Sequence, residues 1–434
     1  MALYIGIDLG TSGCRAIAID ENAAVCAKAI TAVPLPLRKG NYIEQDPEVW
    51  WQATQRVLKD ISNQVNPSDV KAIAVDGTSS TLLLCDKQGK PLQHAIMYND
   101  ARATEQATRI KQYALKRSAA QGPASTLAKL LWYQDRQIAQ RATYALHQTD
   151  WVSAQLCGRF GISDINNCLK LGYDPVSQEW PEWLDKVKTP RQLLPRVIKP
   201  GSIMGTIRFE LTERFNFPIT TQIIAGTTDS TASFIATGAS QPGEAVTALG
   251  STLVLKVLAD EPVFDPKYGV YSQPLGDKWL VGGASNTGGA VLLKYFTQEQ
   301  LDELTPQLKP AVSTDLDYYP LFSQGERFPI NDPERKSKTL PRPQDDVEFF
   351  QGLLEGITSI EQQGYERLAE LGAPFPTKIY TTGGGTKNAA WLTIRELMLG
   401  VPVTVSQHTE AAYGTALLAR KGSINITANL KSFQ

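Results

Sequence analysis

Asp8 ends an apolar run that begins at Tyr4, and the turn Gly10-Thr11-Ser12-Gly13 follows before a second apolar run ending in Asp20. Two strand-like runs joined by such a turn form a β-hairpin whose tip offers backbone N–H groups and hydroxyls to an anion, with a carboxylate beside them. That is the chemistry of a phosphate cradle with a metal anchor, although an ordinary Gly-rich hairpin turn fits the same residues. A diluted copy, TALGSTLVLKVLAD, recurs at residues 247–260, with Gly250, Ser251 and Thr252 at its turn and Asp260 at its end. Hairpins duplicated this far apart imply two related domains facing one nucleotide, each with its own phosphate loop. A further carboxylate, Asp229 in AGTTDST, stands where a helix is expected to start. An N-cap role accounts for it. So does catalysis, because a carboxylate at a helix N-terminus stays ionised and suits a base working near neutral pH. Glycine clusters at Gly288-Gly289 and at Gly383-Gly384-Gly385, the latter followed by Thr386, Lys387 and Asn388, allow a backbone to approach a ligand closely, and any one of them alone also reads as a tight turn.

The elements that must carry these residues follow from periodicity and breakers. A third strand is expected over 24–35, and Asp46-Pro47-Glu48 opens a helix to Asn63, with an N-cap aspartate and proline at the first helical position. Strands are expected at 70–75 and 81–85 around the loop Asp76-Gly77-Thr78-Ser79-Ser80, which leaves a strand end where ligands usually sit. Helices are expected at 99–116, 126–141, 347–371, 388–399 and 411–421, and strands at 245–256, 268–272 and 378–382. Strands interleaved with amphipathic helices favour an α/β architecture, and the hairpins make its sheets mixed. The domain boundary is expected within ATGASQPGEA, residues 236–245.

A chain of 434 residues accommodates about two to three domains. Its net charge of −1 leaves no overall basic excess to hold nucleic acid or an anionic membrane. No run reaches the roughly 18 apolar residues of a membrane span and the N-terminus has no basic start, so a cytoplasmic protein is expected. Five cysteines (Cys14, Cys26, Cys85, Cys157, Cys168) without a CxxC pair argue against a disulfide framework or structural zinc. The three histidines, His94, His147 and His408, are far apart in sequence and give little material for a histidine metal centre or a Ser-His-Asp arrangement. Neither GxxxxGK[ST] nor GxGxxG occurs, which excludes a P-loop and a dinucleotide fingerprint at the motif level.

Four stretches in order, DLGTSG (Asp8 to Gly13), GTTDSTASFIATGA (Gly226 to Ala239), GSTL (Gly250 to Leu253) and GGGTKNAAW (Gly383 to Trp391), resemble the FGGY family of carbohydrate kinases. Within it the chain is similar to the short cyanobacterial and plant-plastid members called xylulose-kinase-like, which are identified with D-ribulose kinases. The resemblance implies an α/β chain of two actin-like, ribonuclease-H-type domains with mixed sheets and an ATP/sugar cleft between them. Residues 1–238 would bind sugar and carry catalysis; residues 239–434 would bind nucleotide, with the terminal helix 411–421 able to pack back on the first domain. The implied activity is ATP-dependent phosphorylation of a ketopentose at its terminal hydroxyl, D-ribulose to D-ribulose 5-phosphate. The alternatives are a D-xylulose kinase, or an actin- or heat-shock-like ATPase with no sugar substrate.

By the same resemblance Asp229 is the general base and Asp8 its catalytic partner, orienting Mg²⁺ through water. Asp8, Ser12, Gly13, Cys14, Arg15, Ser79 and Asp229 would contact the sugar. Thr11, Ser12, Gly250, Ser251, Thr252, Gly288, Gly289, Gly383, Gly384, Gly385, Thr386, Lys387 and Asn388 would contact ATP. Gly77-Thr78-Ser79-Ser80-Thr81 stands where the family's xylulokinases carry Gln-Met-His, a departure that favours ribulose over xylulose. Tyr98-Asn99-Asp100-Ala101-Arg102 resembles the family's W-N-D-x-R. The partners implied are a small sugar and ATP, with no nucleic acid and no membrane, in a monomer or homodimer.

Overall fold

The first strand, Leu3–Leu9, is buried along its whole length, as a strand covered on both faces must be. In the computed structural model, which describes residues 1–431, it lies in a six-stranded mixed sheet. Val25–Ala32, Gly13–Ile19 and Leu3–Leu9 run antiparallel to one another; Val70–Gly77 and Gln222–Ile224 then follow in parallel, and Ile203–Thr206 closes the edge antiparallel. A second six-stranded sheet repeats the scheme: Lys278–Ala284, Leu253–Ala259 and Glu244–Leu249 are antiparallel, Lys378–Thr382 and Val403–Val405 are parallel, and Tyr271–Leu275 adds an antiparallel edge. The duplicated hairpin is therefore the seed of two equivalent sheets. The single strand expected over 245–256 is broken by the Gly250 turn into the two arms of the second hairpin.

The described residues fall into two units, residues 1–236 together with the segment from Glu410 onward, and Thr237–Thr409. The expected second domain thus loses its last segment to the first. Glycines explain how closely that segment packs. A Cβ at Gly6 would lie 2.1 Å from the carbonyl oxygen of Ala412, and one at Gly414 would lie 1.9 Å from that of Ala232. The helix Ala411–Lys431 is accordingly laid against the first strand and the helix Asp229–Ala236, sharing an apolar cluster with Tyr4, Ile17, Ala72 and Ile224.

Local rules place the other helices that matter. Asp46 accepts the Glu48 N–H at 3.0 Å and Pro47 starts the helix Pro47–Ser62. Asp345 caps the long helix Asp346–Glu370, whose Phe350, Leu354, Ile357, Ile360 and Leu368 enter the second core. The expected helix at 99–116 is shortened to Thr104–Tyr113, because Asp100 turns inward to accept the Ile43 N–H at 2.5 Å. The one at 126–141 stops at Asp135, shortly before Gln137 takes a φ of 61°. Among the described residues no helix is long and apolar enough to cross a membrane.

Candidate active site

Leu3–Leu9 and Val70–Gly77 pair in parallel register so that Asp8 stands opposite Asp76. One residue further, Gly77 bridges to Thr228, and Asp229 follows as the first residue of its helix. Three carboxylates are thus delivered by two adjacent strand ends and one helix start. Arg15 is the cross-strand partner of Asp8, and its Nη1 lies 3.4 Å from Asp8 Oδ2. Asp76 is wholly buried, and the Thr415 hydroxyl from the terminal helix donates to its Oδ2.

The electrostatics follow from this crowding. Burial, then the Asp8 charge, hold Asp76 well above the ordinary carboxylate range, with Asp229 adding to the effect and the Thr415 hydrogen bond opposing it. Burial also raises Asp8, while Arg15 pulls it down. Two carboxyls at one register cannot both ionise freely, so the pair keeps a proton to higher pH than a surface aspartate does.

Around Asp229 the polar groups are knitted together. Its Oδ1 accepts the Ser230 N–H at 2.6 Å, and Thr228 Oγ1 lies 3.0 Å from Thr231 Oγ1. Asn166, from the polar stretch after the helix Gln148–Cys157, donates to Thr227 Oγ1 at 3.0 Å. The N–H and hydroxyl of Thr78 donate to Gln148 Oε1 at 3.1 and 2.9 Å. Ser79 is half-buried on that loop, which starts at the Gly77–Thr228 bridge. Behind it Asp164 caps the short helix Ile165–Cys168, and burial, reinforced by Asp150, pushes its carboxyl up to about 7.

The sequence-predicted residues are distributed unevenly. Asp8, Arg15 and Asp229 belong to this constellation, and Thr11, Ser12 and Gly13 form the turn beside Asp8. Cys14 is a correction: its side chain is fully buried in the first core, because in a strand that turns Arg15 toward Asp8 the preceding residue must face the other way. The Asp100-Arg102 pair is structural. Arg102 is buried between Asp100 and Glu44 and lies over the Tyr42 and Trp132 rings. Asp76 and Thr415 were not foreseen. The signal for Asp76 was present, since AIAVDG repeats the apolar run, aspartate and glycine of YIGIDLG. Nothing local marks Thr415.

In the second unit a cavity of about 870 Å³ is lined by Gly250, Ser251, Gly289, Gly384, Gly385, Lys387 and Asn388, with Leu293 and Trp391 as apolar wall. Gly288 and Gly383 take φ values of 147° and 89°, and a Cβ at Gly383 would lie 2.5 Å from the Leu249 carbonyl oxygen, so the loops need glycine there. Thr252, Gly288, Gly383 and Thr386 support these loops without lining the cavity as described. Asn388 is occupied structurally, capping its helix at the Trp391 N–H (2.9 Å) and donating to Thr305. Exposed Lys387 supplies a cation at the rim, and the exposed side chain of Leu293 offers an apolar shelf. Beneath, a buried network fixes the two strands that lead into the loops. Arg395 donates to Glu361 at 2.7 and 2.6 Å and to Thr381 at 2.7 Å, and Thr247 donates to Glu361 at 2.6 Å.

The oxygen-only donors of the first unit suit a hard cation such as Mg²⁺, which takes one or two carboxylates and keeps the rest of its shell for water and phosphate. Among the described residues no three His, Cys, Asp or Glu side chains form a ready-made metal cage.

Comparison with known proteins adds the following. Residues 3–236 match the N-terminal domain, and residues 245–422 the C-terminal domain, of the FGGY family of carbohydrate kinases. A xylulose kinase from Escherichia coli strain K12 is 27% identical over 409 residues, covering 90% of this chain and 83% of that protein. A xylulose kinase from Bacillus subtilis strain 168 is 26% identical over 449 residues, covering 98% and 89%. The crystal structure of a xyloylose kinase from Brucella ovis superposes with a TM-score of 0.88 at 25% identity, over 98% of this chain and 91% of that one. The two-domain α/β fold with mixed sheets is shared, and the D-ribulose expectation draws no support from these names.

Proposed function

The chain belongs to the FGGY family of carbohydrate kinases and is a phosphotransferase acting on a sugar with ATP as co-substrate; from that premise we propose that it phosphorylates a pentulose at its terminal hydroxyl, with Asp229 as general base. Phosphoryl transfer asks for positioning, neutralisation of phosphate charge and an acceptor for the alcohol's proton. The observation that carries the reading is the meeting of Asp8, Asp76 and Asp229 around the Gly77–Thr228 bridge, with Arg15 as the cation paired to Asp8.

Asp229, at a helix N-terminus that favours its ionised form, accepts the proton as the sugar oxygen attacks. The Thr11-Ser12-Gly13 turn holds the transferring group by hydroxyls and backbone N–H, and Arg15 offsets its charge. ATP is held in the second unit by the Gly250, Gly289 and Gly384-Gly385 loops, with Lys387 at the phosphates. Asp8, through water, would hold Mg²⁺ with Asp76 beside it; the ion, when bound, neutralises phosphate oxygens.

The relatives' names favour xylulose as the pentulose. A second reading, D-ribulose, is favoured by Gly77-Thr78-Ser79-Ser80-Thr81, which lacks the Gln-Met-His of the family's xylulokinases. An ADP-release assay with Mg-ATP across D-xylulose, D-ribulose, L-xylulose, L-ribulose and glycerol tests both. The highest kcat/KM is expected for a D-pentulose, and its identity chooses between the readings. Preference for glycerol, or ATP turnover that ignores the sugar, would overturn the proposal.

A further inference from the structure

Lys129 is a fully buried cation that the chemistry above does not use. It lies in the helix Thr126–Asp135, and its Nζ donates to three backbone carbonyls: Ser80 at 2.8 Å, Met97 at 2.8 Å and Tyr98 at 3.3 Å. An ammonium has three N–H donors, so the full set is spent on main-chain oxygens of two segments that are remote in sequence.

Those segments are also joined directly. The Tyr98 N–H donates to Thr81 Oγ1 at 3.1 Å, and Thr81 lies 2.6 Å from Thr78, whose own proton goes to Gln148. The hydroxyl chain therefore runs from Tyr98 through Thr81 and Thr78 to Gln148. Between its two threonines, Ser80 is held at a φ of 75° while buried, a left-handed conformation that a non-glycine residue adopts only under constraint. The carbonyl of that residue is one of those the Lys129 ammonium bonds, at 2.8 Å. The next residue back is Ser79, and the loop's root is the Gly77–Thr228 bridge beside Asp229.

We propose that Lys129 is a positioning residue for the sugar: by gripping the Ser80, Met97 and Tyr98 carbonyls it sets where Ser79 stands relative to Asp229. The inference rests on the reading that a sugar lies against those two residues. The groups facing Lys129 agree with a cation held at some strain. Burial pushes its ammonium down to about 7; Asp100 on the 97–102 segment favours the charge, while Lys170 and Arg102 oppose it, Arg102 being itself paired with Asp100 and Glu44.

The test is steady-state kinetics on the wild-type chain and Lys129→Met, with sugar and ATP varied separately and thermal melts alongside. The wild type is assayed first, so absence of pentulose phosphorylation there counts against the kinase reading and not against Lys129. In an active system, Lys129→Met is expected to raise KM for the sugar by about 10-fold or more, with KM for ATP changed less than about twofold. An unchanged sugar KM, or equal losses for sugar and ATP, overturns the proposal. Should that variant not melt cooperatively, Lys129→Gln takes its place, its amide keeping two N–H donors for the carbonyls: KM for the sugar is expected to rise by about threefold or more, with KM for ATP changed less than about twofold. An unchanged sugar KM in that folded variant overturns it.

Discussion

Each unit buries carboxylates beside its central strands, and the two do so in opposite ways. In the second unit Glu361 is met on both oxygens by Arg395 and again by Thr247, while Arg395 spends its remaining reach on Thr381. In the first unit Asp8 and Asp76 stand side by side at one register, with Arg15 3.4 Å from Asp8 and the Thr415 hydroxyl donating to Asp76. A compensated buried charge is a clamp that holds the Gly250 and Gly383 strands in register. A pair of neighbouring carboxyls stores repulsion that a cation can relieve. On the proposed reading, the first arrangement holds loops and the second is where the chemistry takes place.

Four substitutions break or sharpen that contrast. The largest effect is expected at Asp229→Ala, which should lower kcat by about 10²- to 10⁴-fold with KM for ATP nearly unchanged. Near-normal ADP release from folded variant would reduce Asp229 to a helix-start residue. Next, Arg395→Met strands Glu361 without its partner and should destabilise the protein by about 3–5 kcal/mol, read by denaturant unfolding. A loss under about 1 kcal/mol would show that the clamp carries little of the second unit's stability.

Asp76→Asn should act in the other direction, raising stability at neutral pH by about 1 kcal/mol, because it removes a like charge while keeping an acceptor for Thr415. The sign can be checked with pH. Asp8 and Asp76 have folded-state pKa values raised above their unfolded ones. The folded state therefore holds the proton more tightly, and the stabilisation is complete in acid. It is lost as pH rises from the ordinary carboxylate range through the raised folded values. Melting temperature should fall across that window in the wild type and fall less in Asp76→Asn; parallel curves would refute the coupling. The smallest change is expected at Lys28→Ala. The Lys28–Glu410 pair, at 2.8 Å, is substantially exposed, and its loss should cost less than about 1 kcal/mol in the same unfolding experiment.

The hairpins, the Asp46 cap and the glycine loops were legible in the sequence because each obeys a rule spanning a few residues. Asp76 was not singled out because its weight comes from parallel register with Asp8: AIAVDG repeats the local pattern of the first strand but does not state that pairing. Cys14 was read into the site through its neighbours in the motif, whereas strand alternation, also legible, assigns it to the core. That the last helix could pack back on the first unit was expected from the resemblance, but the contact of Thr415 and the end of the second unit at Thr409 depend on the close packing at Gly6 and Gly414.

That docking also bears on biosynthesis. The second unit is continuous and can close as soon as its own residues have left the ribosome, but the first is completed only by the helix that begins at Ala411. Until it arrives, Tyr4, Ile17, Ala72 and Ile224 present a bare apolar face and Asp76 lacks its hydroxyl partner. The unit translated first is therefore the one that must wait longest before its carboxylates are set in place.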